Sequence, residues 1–196
     1  MNGKARTMTE PTKAPNANTK NIAIVVAIVA LLAVVLIGRS NKDDSGTSGN
    51  ATSTTISAAQ ATLNNGLALH SAGNLAAAEA EYMKVLNLEP TNKFALYNIG
   101  LIAQTSNDNA KAINYYTQAI NVDNQFKAAV YNRGLAYRDT KEVAKAISDL
   151  ENVLKIDDKY APAYFNLGNI LVAQGDTAKG EEYIAKAKDL NPALGS

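Results

Sequence analysis

Four glycines, Gly66, Gly100, Gly134 and Gly168, stand 34 residues apart in this chain of 196 residues, with no insertion or deletion between them. A fixed period of that length marks a chain built from stacked copies of one small unit, and it argues against a single closed core. Other columns keep the same register: Ala78, Ala112, Ala146 and Gly180; Tyr82, Tyr116, Leu150 and Ile184; Val85, Ala119, Val153 and Ala187; Leu88, Val122, Ile156 and Leu190. Within a copy, apolar and small residues recur at helical spacing in two blocks. Leu96, Ile99, Gly100 and Ala103 form one and Ala112, Tyr116 and Ala119 the next, which predicts two amphipathic helices. Turn-forming residues separate the blocks at Ala72-Gly73-Asn74, Ser106-Asn107-Asp108-Asn109 and Gln174-Gly175-Asp176, with Asp139-Thr140-Lys141 the weakest of the four links. Copies end at Glu89-Pro90, Asp123-Asn124, Asp157-Asp158 and Asn191-Pro192, where proline cannot continue a helix and Asx residues favour caps.

Composition narrows the chemistry. The chain has no cysteine and one histidine, His70, so a thiolate nucleophile, a zinc finger and a set of imidazole ligands are excluded. His70 reads as an ordinary surface residue. Asp157-Asp158 and Glu181-Glu182 are adjacent on helices, where neighbours point about 100° apart, so neither pair is a general acid and base. They read as solvated faces. Asp43-Asp44-Ser45-Gly46 lacks the alternating ligands of a calcium loop. The net charge of +1 offers no basic stripe for nucleic acid. The expectation is a protein that is not an enzyme, with no cofactor, no metal and no nucleic-acid partner.

The repeated columns resemble the tetratricopeptide repeat family, whose pattern has a small residue in the first helix, Ala followed four residues later by an aromatic in the second, and a closing Pro. The four glycines match the first feature. Ala78 with Tyr82 and Ala112 with Tyr116 match the second, while Ala146 with Leu150 and Gly180 with Ile184 keep only size and apolarity. Pro90 and Pro192 match the third, replaced by Asn124 and Asp158 in the middle copies. The resemblance covers about residues 56 to 192. It implies an all-α, right-handed α-solenoid of four helix-turn-helix repeats, about 59–92, 93–126, 127–160 and 161–194, within a domain 55–194.

The family's first helices line a concave groove, and Asn in that helix characteristically holds the backbone of an extended peptide. Asn64, Asn98, Asn132 and Asn166 occupy that place in all four copies, each two residues before the glycine. Asn is a poor interior helix former, so its recurrence needs a reason. A carboxamide both donates and accepts, which suits a peptide unit whatever its side chain. Beside it run Leu63, Tyr97, Tyr131 and Phe165, with Leu67, Leu101, Leu135 and Asn169 one turn on, and Arg138 toward one end. The resemblance thus implies a peptide-binding groove of Asn64, Tyr97, Asn98, Leu101, Tyr131, Asn132, Leu135, Arg138, Phe165, Asn166 and Asn169. The competing reading has the Asn residues bonding neighbouring helices and the rings filling the inner curve. Where a related subtype carries cations that clamp a carboxylate, this chain has Leu63, Leu67 and Ala128, or Tyr97, Leu101 and Pro162, so carboxylate capture is not expected.

The N-terminal quarter has a different character. From Ile22 to Ile37 every residue is Ala, Val, Ile or Leu, flanked by Lys20 and Arg39. As one helix, that run reaches roughly 24 to 27 Å, short but adequate for a bilayer if the flanking cations snorkel. Residues 21–38 are therefore expected to cross the lipid bilayer once. Residues 1–20 hold four basic side chains and one acidic, which places that tail on the cytoplasmic side and the repeats outside. The alternative is a secreted protein whose signal is cleaved. Residues 39–54 carry one apolar side chain, Ala51, and read as a flexible tether with a reach of about 20 to 25 Å. Asn50-Ala51-Thr52 matches a glycosylation acceptor. The expected function is a membrane-anchored module that binds segments of other proteins for complex assembly. The alternative is a scaffold that self-associates through the repeat ends, since only Ala193, Leu194, Gly195 and Ser196 follow Pro192 to cover Ile184, Ala187 and Leu190.

Overall fold

The computed structural model describes residues 57–195, and every regular element among them is helical. Eight α-helices run in order: α1 Ala58–Ser71, α2 Leu75–Leu88, α3 Lys93–Thr105, α4 Asn109–Val122, α5 Lys127–Asp139, α6 Val143–Ile156, α7 Ala161–Ala173 and α8 Thr177–Leu190, followed by a 3-10 turn at Pro192–Gly195. Consecutive helices pair as hairpins, α1 with α2, α3 with α4, α5 with α6 and α7 with α8, and each hairpin packs on the next. The result is an all-helical solenoid of four helix-turn-helix units.

The hairpin turns share one geometry. In each, one residue takes a positive φ: Gly73 at 79°, Asn107 at 61°, Lys141 at 65° and Gly175 at 92°. Three of the helices that follow are capped by a side chain, with Asn74, Asp108 and Asp176 accepting from the amides of Ala77, Lys111 and Lys179. Glu142, which precedes α6, makes no such bond. The third turn thus combines a non-glycine residue in the left-handed region with an uncapped helix. Replacing Lys141, which is exposed, with Gly should relieve its Cβ strain and stabilise the domain by about 0.5 to 1 kcal/mol. Urea unfolding monitored by circular dichroism would register the gain as a higher midpoint.

The core is continuous across the hairpins. Tyr82, Val85 and Leu63 of the first unit bury with Ala95, Ile99 and Ile102 of the second. Leu150 and Val153 of the third bury with Ala163, Leu167 and Ile170 of the fourth. Small residues at the hairpin crossings make this possible. A Cβ on Gly66 would stand 2.6 Å from the ring of Tyr82, and one on Gly100 would stand 2.6 Å from that of Tyr116. In the last hairpin Gly168 faces Gly180, whose carbonyl oxygen would lie 2.7 Å from such a Cβ.

One junction carries charge. The guanidinium of Arg133 on α5 donates from Nε and Nη2 to the two carboxylate oxygens of Asp149 on α6, each at 2.8 Å, and from Nη1 to the Thr117 hydroxyl on α4 at 3.1 Å. The columns to which Arg133 and Asp149 belong hold Ile99 with Tyr115 in the second unit and Leu167 with Tyr183 in the fourth. The pair binds the third hairpin to itself and to the one before it.

The expected exposed face at the C-terminal end is corrected. Ala187 is fully buried and Ile184 is half-buried, with only Leu190 left exposed. Ile184 closes against Gly168, and the turn Pro192–Gly195 packs back on α8. Polar residues also enter here. Leu101 and Leu135 are buried, whereas Asn169 in the same column is exposed. Leu86, Ile120 and Leu154 pack against the cores, whereas Lys188 in their column is exposed.

The expected tail 1–20, membrane span 21–38 and linker 39–54, with the Asn50 acceptor, lie outside the described residues. Among the described residues, no helix is long and apolar enough to cross a membrane.

Candidate protein-binding surface

The first helices of the hairpins, α1, α3, α5 and α7, carry the columns expected to bind a peptide. Their period places the Asn residues at equivalent positions, and two of the four, Asn132 and Asn166, tie neighbouring units together. The Asn132 amide donates to the Tyr97 hydroxyl at 2.9 Å, and the Asn166 amide donates to the Tyr131 hydroxyl at 3.0 Å and to the Pro162 carbonyl at 2.9 Å. The amides of the third and fourth units therefore reach the tyrosine of the unit before each. In the first unit that column holds Leu63, which has no hydroxyl, and the Asn98 amide turns instead to the carbonyl of Phe94 at 2.7 Å. Asn64 accepts from Gln60.

Burial separates the expected groove residues into two groups. Asn98 at 3 % and Asn132 at 5 % exposure are inside, with Tyr97, Leu101, Tyr131 and Leu135 beside them. The Asn132 amide is spent on the Tyr97 hydroxyl and the Asn98 amide on the Phe94 carbonyl of its own helix, and both side chains are buried. Asn64, Arg138, Phe165 and Asn166 are half-buried, and Asn169 is exposed. Apart from Asn64 in the first unit, the accessible members gather at the fourth unit and its border with the third. There Arg138 donates from Nη1 to the Asn166 carbonyl oxygen at 2.6 Å and from Nε and Nη2 to Asp139.

His70 is a second correction. It is only 7 % exposed, at the C-terminal end of α1, with Nδ1 3.4 Å from the hydroxyl of the fully buried Tyr82. Gln104, in the same column one unit on, accepts from the Tyr116 hydroxyl at 2.8 Å. The column therefore supplies a polar partner for a buried phenol, a role invisible from His70 taken singly and legible from the pairing of the two columns. Burial depresses the imidazole pKa and raises that of the Tyr82 phenol. At His70 the folded state then binds a proton less readily than the unfolded one. His70 stabilises the fold fully above its ordinary value near 6.5, and that contribution is lost as pH falls below it. Urea midpoints should drop between pH 7.5 and 5.5 in the parent. A His70→Gln variant should show a smaller drop.

The sequence reading missed Phe94, which lies at the start of α3 and is 50 % exposed. Its ring packs edge-on against Phe126 at 5.8 Å. Among the described residues no group of three or more His, Cys, Asp or Glu side chains is placed to hold a metal ion.

Known proteins agree with this architecture. The tetratricopeptide repeat model matches residues 59–92, 95–126 and 161–194, together more than half the chain, and a further TPR repeat model matches 134–175. No curated protein matches the chain. Among solved structures, a crystal structure of MamA is similar at 23 % identity and a TM-score of 0.65, over 71 % of this chain and 82 % of that one. PilF of Pseudomonas aeruginosa is similar at 23 % identity and a TM-score of 0.62, over 69 % and 64 %. The Cut9-Hcn1 hetero-tetramer of the APC/C is similar at 20 % identity and a TM-score of 0.62, over 67 % of this chain and 26 % of that one. At such identities these likenesses speak for the fold alone. With four hairpins in the same 34-residue register, the chain belongs to the tetratricopeptide repeat family.

Proposed function

We propose that this protein is a membrane-anchored interaction module that binds segments of other proteins through the first helices of its repeats and so recruits them into a complex. The observation that carries the reading is the distribution of burial. The second and third units close over their own polar column, whereas Asn169, Phe165, Asn166 and Arg138 remain accessible in one neighbourhood with amide, aromatic and cationic groups together. Such a mixture suits peptide backbone and side chains. The similar Cut9-Hcn1 assembly joins a protein of this fold to a second polypeptide, which supports the same kind of use here. The apolar run Ile22–Ile37, with basic residues ahead of it, supports a single bilayer anchor, an N-terminus inside and repeats on the outer side.

Self-association through the repeat ends has less support. Asn169 and Lys188 replace the Leu or Ile that units one to three present to the next hairpin, which makes this face of the fourth unit more polar.

A photo-crosslinking residue placed at Asn169 in the full chain, in its native cells, should capture a partner protein. The same residue at Gln118, exposed on α4, should capture none or a different set. Equal labelling at both positions would remove the support for binding by the first helices. Alkaline carbonate extraction tests the anchor: the full chain should stay with the membrane pellet, and a variant lacking residues 21–38 should not.

A further inference from the structure

The three junctions between units differ at the residue that precedes each first helix. Phe126 precedes α5 and Tyr160 precedes α7, and neither gives its helix a side-chain cap. Instead the ring of Phe126 packs 5.1 Å from Tyr97, and that of Tyr160 packs edge-on 5.2 Å from Tyr131. Ahead of α3 the same place holds Asn92. Its carbonyl oxygen caps α3 through the Ala95 amide at 3.0 Å, and its amide donates to Glu89 at 2.8 Å. A short amide thus stands where the later junctions have an aromatic ring.

An open cleft of about 580 Å³ lies at this first junction, lined by Glu89, Asn92, Lys93, Phe94, Val122 and Asp123 together with Thr91. That volume falls within the usual range of ligand pockets. Two of its walls are apolar and unusually open, Phe94 at 50 % and Val122 at 42 % exposure. Leu88, the neighbour of Glu89 in the chain, is exposed as well. Clustered exposed apolar side chains with a polar rim are the mark of an interaction site. The charges are unequal. Asp123 is paired with Lys93, whose Nζ also lies 5.2 Å and 5.3 Å from the ring centres of Phe94 and Phe126. Glu89 is exposed and joins no ion pair among the described residues. The cleft therefore offers two apolar walls, Phe94 and Val122, and one carboxylate outside any ion pair among the described residues.

We infer that this cleft receives an aromatic side chain from an extended segment of a partner protein, with a Lys or Arg beside it in the segment meeting Glu89. The partner's ring packs on the exposed Phe94 and Val122, and its cation supplies the charge that Lys93, held by Asp123, does not give to Glu89. The inference rests on the reading of the chain as a protein-binding module and names where, and with what chemistry, a partner is gripped.

The test is fluorescence anisotropy on the full chain in detergent with three labelled hexapeptides: Gly-Ser-Phe-Lys-Gly-Ser, the same peptide with Ala for Phe, and the same with Glu for Lys. The Phe-Lys probe should bind saturably with a Kd of about 0.1 to 1 mM, as befits one anchoring side chain and one ion pair. The Ala-Lys and Phe-Glu probes should bind at least about tenfold more weakly. Asn92→Phe, which supplies the ring of the later junctions, should abolish Phe-Lys binding. Phe94→Ala, a change at an exposed side chain that the fold tolerates, should weaken it to the same degree. Glu89→Gln should erase the preference for Phe-Lys over Phe-Glu. Equal binding of the Phe-Lys and Phe-Glu probes would overturn the inference, as would no saturable binding of Phe-Lys up to several millimolar. So would binding unchanged by both Asn92→Phe and Phe94→Ala. Crosslinking at Asn169 that persists alongside such a failure would leave the module reading intact and remove only this site.

Discussion

Gly100→Ala is expected to destabilise the domain by about 1 to 2 kcal/mol, with a matching fall in the urea midpoint at unchanged slope. The added methyl would stand 2.6 Å from Cε1 and 2.7 Å from Cδ1 of Tyr116. That ring has no room to retreat. It is fully buried, its hydroxyl donates to Gln104 at 2.8 Å, and Tyr97 packs against it at 5.8 Å. Overpacking of this kind usually costs about 1 to 3 kcal/mol, and the roughly 1 kcal/mol that Ala gains over Gly in a helix offsets part of it. Gly134→Ala supplies the internal comparison. There the nearest atom is the Asp149 Cβ at 3.1 Å and the next lie at 3.5 Å, so the helical preference of Ala should cancel most of the cost. Equal losses in the two variants would show that the crossing distance is not what the glycine column protects.

The second large effect is expected at the charged junction. Asp149→Ala should cost about 3 kcal/mol, because it leaves the half-buried Arg133 guanidinium without a counter-charge, beside the Thr117 hydroxyl and the Tyr137 ring. Arg133 retains 18 % of its side-chain exposure and Asp149 9 %, which places the expected cost toward the lower end for a broken buried pair. Burial and the pair act in opposite directions on Arg133, and the Asp149 hydrogen bonds win, holding the guanidinium above its already high pKa. Exchanging both residues for those of the fourth unit, Arg133→Leu with Asp149→Tyr, should recover most of the loss, since well-packed apolar groups often equal a buried ion pair. A double-mutant cycle in urea would check this. A double variant no better than Asp149→Ala alone would mean that the Thr117 contact, and not charge pairing, sets the cost.

Much of the candidate surface could be read from period and residue type, but its accessibility could not. The column positions put Asn64, Asn98, Asn132 and Asn166 on the first helices, and no spacing argument distinguishes an amide facing solvent from one facing a tyrosine hydroxyl. That distinction depends on the column beside it, 35 residues earlier. Where it holds Tyr97 or Tyr131, the amide of the next unit is drawn to that hydroxyl. Phe94 escaped notice because a single aromatic at a helix start carries no signal by itself. The absence of a ring at Asn92, set against Phe126 and Tyr160, is the pattern that could have pointed there.

Sequence alone determined the number of units, their register, the two helices in each, the stop signals between them and the family. These follow from local preference and from a side-chain period that a 34-residue repeat imposes four times over. Tertiary structure decided which polar side chains are consumed. His70, Asn98 and Asn132 are buried, Arg133 is bound in an ion pair, and the C-terminal face is closed over Ala187. Each outcome depends on what the adjacent unit brings within about 3 Å, a hydroxyl, a ring or a glycine. That is a property of stacking between units, which no single stretch of chain encodes.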